Sequence, residues 1–236
     1  MTARDRLVLA LDVETPALAL DLARRTASSI GVFKASPAHV YQDGEAYIAA
    51  LRALGRPVFL DLKLNDIPET VARLTRQVAR MGVAYLTVHT TGGSKMMAAA
   101  QAAVAETGGT LKLLGVTVLT SFDQEQVRTE WAVTASIEER VLALADLARG
   151  AGLHGIVCSP LELKAVRARF GTALATVVPG IRSSTDSAGD QKRTMSPAEA
   201  VAAGADYIVV GRPIVAQPDP VAAAHRMTHE MEEAPQ

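Results

Sequence analysis

The chain holds a single cysteine, Cys158, among 236 residues. That excludes a disulfide framework and makes a reducing cytoplasm its natural setting. Cys158 ends the apolar run Gly155-Ile156-Val157-Cys158 and reads as a small buried side chain. Aromatic residues contribute only 4%. The core therefore has to be built from Ala, Val and Leu, as in α/β proteins with buried parallel strands. Neither charge sign dominates, with 24 Lys and Arg against 25 Asp and Glu. There is no basic excess to attract nucleic acid and no acidic tail. No apolar run approaches the length of a membrane span. Residues 1–6 are polar and the apolar run after them stops at Asp12, which reads as a first strand rather than a signal peptide. No Gly-x-Gly-x-x-Gly follows that strand, which argues against an open dinucleotide-binding sheet. No metal set is marked either. His225 and His229 stand four apart in a terminal helix without acidic partners at ligand spacing, and read as solvated. A nucleophile-elbow sequence is also missing.

What the chain does have is alternation. With 49% hydrophobic residues it can fill one sizeable core. Strand-like runs are expected at 7–11, 31–34, 58–63, 83–88, 113–119, 155–158, 174–178 and 206–210. Helical stretches between them are expected at 16–28, 44–54, 68–81, 95–106, 136–149 and 160–170, with two more opening near Ser196 and Asp219. Ser136-x-x-Glu139 and Ser196-Pro197-Ala198-Glu199 have the form of capping boxes. Eight βα units of roughly 30 residues predict an α/β fold, a closed (β/α)8 TIM barrel forming one domain over residues 1–236.

The third strand runs directly into a charge array, Asp61-Leu62-Lys63-Leu64-Asn65-Asp66. On an extended chain Asp61 and Lys63 share one face, while Leu62 and Leu64 turn to a core. Opposite charges at the end of a buried strand are costly to leave unpaired. They can be a plain ion pair or a device that keeps each group ionised. Asp66 and Glu69 also fit a capping box around Pro68. The wider pattern favours chemistry. Asp12, Lys34, Asp61, Lys63, His89, Thr120, Ser159, Arg182 and Arg212 all fall at or just past the C-terminal ends of expected strands, the rim where barrels of this kind carry their active sites.

Two loops at that rim combine glycine with arginine: Pro179-Gly180-Ile181-Arg182 after the seventh strand and Gly211-Arg212 after the eighth. Barrels commonly hold phosphate there, with glycine admitting backbone N–H groups and arginine supplying a fork of donors. The stretch 183–194 is rich in Ser, Gly, Asp and Lys and lacks an apolar period; it reads as a loop long enough to close over a ligand, or as plain surface. Lys63 could form a Schiff base only as a neutral amine. Two flanking aspartates would keep it charged and suit it to giving up a proton.

Asp61-Leu62-Lys63-Leu64-Asn65-Asp66-Ile67-Pro68 resembles the Asp-x-Lys-x-x-Asp-Ile-Pro signature of the orotidine 5′-phosphate decarboxylase family. Further matches follow in order: Ala10-Leu11-Asp12, Lys34, Val88-His89 with Gly92-Gly93, the run from Val116 to Ser121, Val157-Cys158-Ser159, Pro179-Gly180-Ile181-Arg182, Ala188-Gly189-Asp190-Gln191 and Val210-Gly211-Arg212-Pro213. They cover about residues 6 to 222. The resemblance implies a lyase that removes the carboxylate of orotidine 5′-phosphate to give uridine 5′-phosphate. That is the last step of pyrimidine nucleotide synthesis. It implies a homodimer of barrels that needs no cofactor and no metal. Lys63 would protonate C6, and Asp61 would sit beside the leaving carboxylate. Lys34 and Asp12 would hold ribose hydroxyls. Asp66 and Ile67 would reach the neighbouring subunit's site, with Thr70 among the substrate-binding residues. Thr120 would lie near the ribose and Ser121 near the pyrimidine, while Gln191, Arg182, Gly211 and Arg212 would clamp phosphate. The chain departs from the family pattern at Ala35-Ser36-Pro37-Ala38 and at Asn65, where a histidine is common. Two rivals differ in testable ways. A magnesium-dependent sugar-phosphate enzyme of the same superfamily would want an acid where Lys34 stands. A catalytically silent nucleotide-binding barrel would be expected to lose Lys63 or Asp61.

Overall fold

The computed structural model describes residues 1–183 and 194–234. Eight parallel strands close into a barrel in sequence order: β1 Leu7–Ala10, β2 Val32–Ala35, β3 Val58–Leu64, β4 Tyr85–His89, β5 Lys112–Val116, β6 Gly155–Val157, β7 Ala175–Val178 and β8 Tyr207–Val210. β8 returns to β1, Leu7 lying opposite Ile208. The expected TIM barrel is therefore the observed fold.

Alternation along each strand sorts side chains into two cores. Leu9, Leu60 and Leu86 face outward and join a large layer against the helices. Val8, Val32, Phe59, Tyr85, Leu114 and Val177 face inward and fill the barrel axis. Few aromatics suffice because the inner layer is small. Tyr85 and Tyr207 share a hydrogen bond of 2.9 Å and meet edge to face. Gly155 is required by the barrel wall itself: a Cβ there would lie 2.3 Å from the Ala175 carbonyl oxygen.

The helices that flank the strands are α2 Pro16–Thr26, α3 Pro37–Arg52, α4 Pro68–Arg80, α5 Gly93–Glu106, α7 Ile137–Gly150, α8 Leu163–Phe170, α9 Pro197–Ala202 and α11 Pro220–Glu232. Three short helices, α1 Ala3–Arg6, α6 Gln124–Glu130 and α10 Arg212–Val215, fall where no apolar period foretold them. Capping boxes form as expected at Ser136 with Glu139 and at Ser196 with Glu199. The one expected at Asp66 does not. Ile67 is the N-cap of α4, without a side-chain cap bond, and Asp66 Oδ1 accepts the Ile67 N–H at 2.6 Å. The proline at the first helical position sets the start one residue later than the acidic pair suggested. The second helix also begins earlier than expected, at Pro37, because Gly44 (φ 57°) kinks α3 instead of starting it. Residues 160–170 divide into a 3-10 turn, Pro160–Glu162, and α8. Among the described residues no helix is long and apolar enough to cross a membrane.

Candidate active site

A cavity of about 520 Å3 opens at the C-terminal ends of the strands. Asp12, Lys34, Asp61, Lys63, Thr120, Arg182, Gly211 and Arg212 all line it, so strands and loops distant in sequence deliver these eight expected residues to one place. Val116, Val157, Val177 and Val209 form its apolar floor. Cys158, buried as expected, also borders it.

The charges form a chain. Lys34 Nζ lies 3.0 Å from Asp12 Oδ2 and 3.3 Å from Asp61 Oδ2. Lys63 Nζ lies 2.8 Å from the same Asp61 oxygen. Burial alone would discharge Lys34, but Asp61 and Asp12 outweigh it and hold its pKa above the ordinary lysine value. Burial would likewise raise Asp61. Lys34 and Lys63 overcome that, with hydrogen bonds from Lys63 and Thr87 adding to the effect, and keep Asp61 below the usual carboxylate range. Both groups are therefore ionised at neutral pH.

Asp61 and Lys63 do meet, but not by simple strand alternation. Leu60 pairs with Leu86 and Leu64 with Val88, so residues 61–63 bulge opposite Thr87. Lys63 has φ 51°, a left-handed conformation that costs a non-glycine residue about 1–2 kcal/mol. Such strain gathers at functional sites. The Thr87 hydroxyl accepts the Lys63 N–H at 2.9 Å and donates to Asp61 Oδ1 at 2.8 Å. Thr87 was not foreseen. Its only signal is a polar residue on the inward face of a strand, two positions before His89.

The main chain just after Asp12 is tied to α3. His39, buried on α3, bonds the Val13 carbonyl oxygen through Nε2 at 2.8 Å. That oxygen can only accept, so Nε2 carries the proton. Tyr47 stands 3.3 Å from His39 Nδ1.

Other rim residues serve elsewhere. His89 lines a neighbouring cavity of about 370 Å3 with Trp131 and Arg140. Burial, then the Lys63 charge, lowers its pKa against a smaller opposing pull from Asp61. Ser159 caps the Pro160 turn, accepting the Leu161 N–H at 3.2 Å. Ser121, Asp66, Ile67 and Thr70 lie outside the main cavity's lining; Ile67 is 68% exposed. Gln191 and most of the expected 183–194 loop lie outside the described residues. The loop's base is described: Ile181 bridges Met195, and the Arg182 N–H meets the Met195 carbonyl at 3.0 Å. His225 and His229 are exposed and lie apart from the cavity; His225 contacts Ser29 and His229 contacts Glu233. No group of three or more His, Cys, Asp or Glu among the described residues is arranged to hold a metal ion.

A family model described as "Orotidine 5′-phosphate decarboxylase / HUMPS family" matches residues 5–227. The chain belongs to that family. Orotidine 5′-phosphate decarboxylase from Moorella thermoacetica is 44% identical over 237 residues, covering 98% of this chain and 94% of the relative. The protein of the same name from Anaeromyxobacter sp. (strain K) is 47% identical over 224 residues, covering 95% and 97%. Among solved structures, orotidine 5′-phosphate decarboxylase from Lactobacillus acidophilus has a TM-score of 0.83 at 33% identity, covering 95% of this chain and 98% of that one. Membership in the orotidine 5′-phosphate decarboxylase / HUMPS family thus rests on both sequence and fold.

Proposed function

We propose that the chain removes the carboxylate of orotidine 5′-phosphate to give uridine 5′-phosphate, the last step of pyrimidine nucleotide synthesis, in the cytoplasm and without a cofactor. The observation that carries this reading is the Lys34–Asp61–Lys63 chain at the cavity wall, in a member of this family. The C6–carboxylate bond breaks and carbon dioxide leaves. The electron pair stays on C6, with no conjugated group to delocalise it. Lys63, its Nζ held 2.8 Å from Asp61, is a fixed ammonium that stabilises that pair and gives C6 its proton. Its amine then takes a proton from solvent. Asp61 stands beside the departing carboxylate. Lys34 and Asp12 hold the ribose hydroxyls, with Thr120 near the ribose and Ser121 near the pyrimidine. Arg182, Gln191, Gly211 and Arg212 hold the phosphate, whose binding energy is realised at the reacting carbon. Asp66 and Ile67 serve the partner's site in a homodimer, and Thr70 is a further substrate-binding residue. The exposure of Ile67 and its distance from its own cavity's lining support that placement.

The family description also covers a second activity, and the magnesium-dependent sugar-phosphate reading has to be separated from this one. Lys34 Nζ sits between the two carboxylates that a divalent cation would seek, so a cation would have to displace an ion pair. The deciding measurement is the absorbance change of orotidine 5′-phosphate with purified protein, with and without a chelator. Turnover should proceed unchanged in chelator. Lys63→Ala should lose at least about a thousandfold in kcat, since it removes the proton donor and the charge together, and should stay folded by circular dichroism. Activity of Lys63→Ala within tenfold of the parent would overturn the role of Lys63. Loss on chelation, restored by magnesium, would move the chain to the sugar-phosphate reading.

A further inference from the structure

We infer that Thr87 is a positioning residue for this reaction, its single hydroxyl fixing the Asp61 carboxylate and the Lys63 main chain relative to each other. The inference rests on the roles given to Asp61 and Lys63 above. Three residues of β3, 61 to 63, stand opposite Thr87 alone on β4. In such a bulge a backbone N–H loses its ladder carbonyl and must find another acceptor. The Lys63 N–H finds the Thr87 hydroxyl oxygen, at 2.9 Å. The direction of every bond is then forced. An ionised Asp61 can only accept, so Thr87 spends its one proton on Asp61 Oδ1, at 2.8 Å. The other Asp61 oxygen accepts from Lys63 Nζ, at 2.8 Å. The result is a closed ring: Asp61 carboxylate, Lys63 ammonium, Lys63 backbone, Thr87 hydroxyl.

Thr87 is fully buried and does not line the cavity, so it touches no substrate and water cannot replace its hydroxyl. Its register partner on β5, Leu114, is a plain apolar residue facing the barrel axis. A valine would fill the same space and leave both the Lys63 N–H and Asp61 Oδ1 without this partner. The ring holds a charged lysine in a left-handed backbone conformation while leaving its ammonium at the cavity. Releasing it lets Nζ wander by the fraction of an ångström that proximity effects punish most.

The test compares Thr87→Ser with Thr87→Ala. Both lose the methyl group and differ only in the hydroxyl; Thr87→Val supplies the isosteric control. Steady-state kcat and KM for orotidine 5′-phosphate are measured per folded molecule, with the folded fraction taken from circular dichroism. The serine variant should keep kcat within about threefold of the parent. The alanine and valine variants should fall about 10- to 100-fold in kcat, with KM within about threefold. Equal kcat for the serine and alanine variants would overturn the inference, as would a change confined to KM. Lys63→Ala assayed alongside separates the two levels. An active Lys63→Ala sinks the functional reading itself. An inactive Lys63→Ala with serine and alanine variants alike at Thr87 sinks only the role of Thr87.

Discussion

At Asp61 burial and two ammonium groups pull in opposite directions, and the ammonium groups win. Its folded pKa lies below the unfolded value of about 3.9. The stability it contributes is therefore complete above about pH 4 and is lost as pH falls through the lower folded value. Lys34 has its folded value raised, so its contribution is complete below about pH 10 and disappears as pH rises through that value. His89 and His154 are lowered chiefly by burial; the unfolded chain takes up their protons first, so stability begins to decline below about pH 6.5. Urea denaturation should thus give a level midpoint from about pH 7 to 9, a shallow fall towards pH 5 and a steep one below pH 4. Asp61→Asn at pH 7 should cost about 3 kcal/mol by the same assay, because Lys34 stays buried with one partner fewer. An unchanged midpoint would show that Asp12 alone suffices. The Asp61–Lys63 contact was legible in the sequence, but for an incomplete reason. Spacing of two implies one face on a regular strand, and the real strand bulges. A bulge depends on which partner residue stands opposite, which no local pattern records, and Thr87 was missed for that reason.

Elements were legible where burial is one-sided and periodic. The eight strands were visible as short apolar runs, and α7 and α9 announced their starts through Ser and Glu at capping spacing. Ends were less legible, since the barrel's register rather than residue type decides where pairing stops. β5 stops at Val116, although apolar residues continue to Leu119. At Asp66 two start signals competed, and Pro68 fixed the first helical position. The β6–β7 contact depends on one absent side chain. With Ala175 O only 2.3 Å from an added Cβ, Gly155→Ala should force the strands apart and destabilise the protein by about 3 kcal/mol, in the range of core overpacking. The midpoint of chemical denaturation measures it. Glycine to alanine at Gly150, whose added Cβ would meet nothing within 4 Å, should instead be neutral or slightly stabilising. Similar losses at both sites would refute the steric argument.

For the whole molecule, topology followed from eight repeats of strand and helix. The dimer reading makes a sharp expectation. Lys63→Ala and Asp66→Asn subunits, each nearly inactive alone, are mixed under conditions of exchange. About half the dimers should be mixed, each with one site that draws Lys63 from one chain and Asp66 from the other. Activity should recover to about a quarter of the parent's per site. A mixture that stays inactive despite proven exchange would place Asp66 in its own subunit's site. One further property of the molecule is optical. Trp131, the chain's only tryptophan, packs on Phe122 with ring centroids 4.6 Å apart and lines the side cavity with Leu119, a residue that also borders the main one. Indole emission from this protein therefore originates at a single known position beside the mouth. Its wavelength and lifetime report that neighbourhood alone, giving kineticists a label-free chromophore without any engineering of the chain.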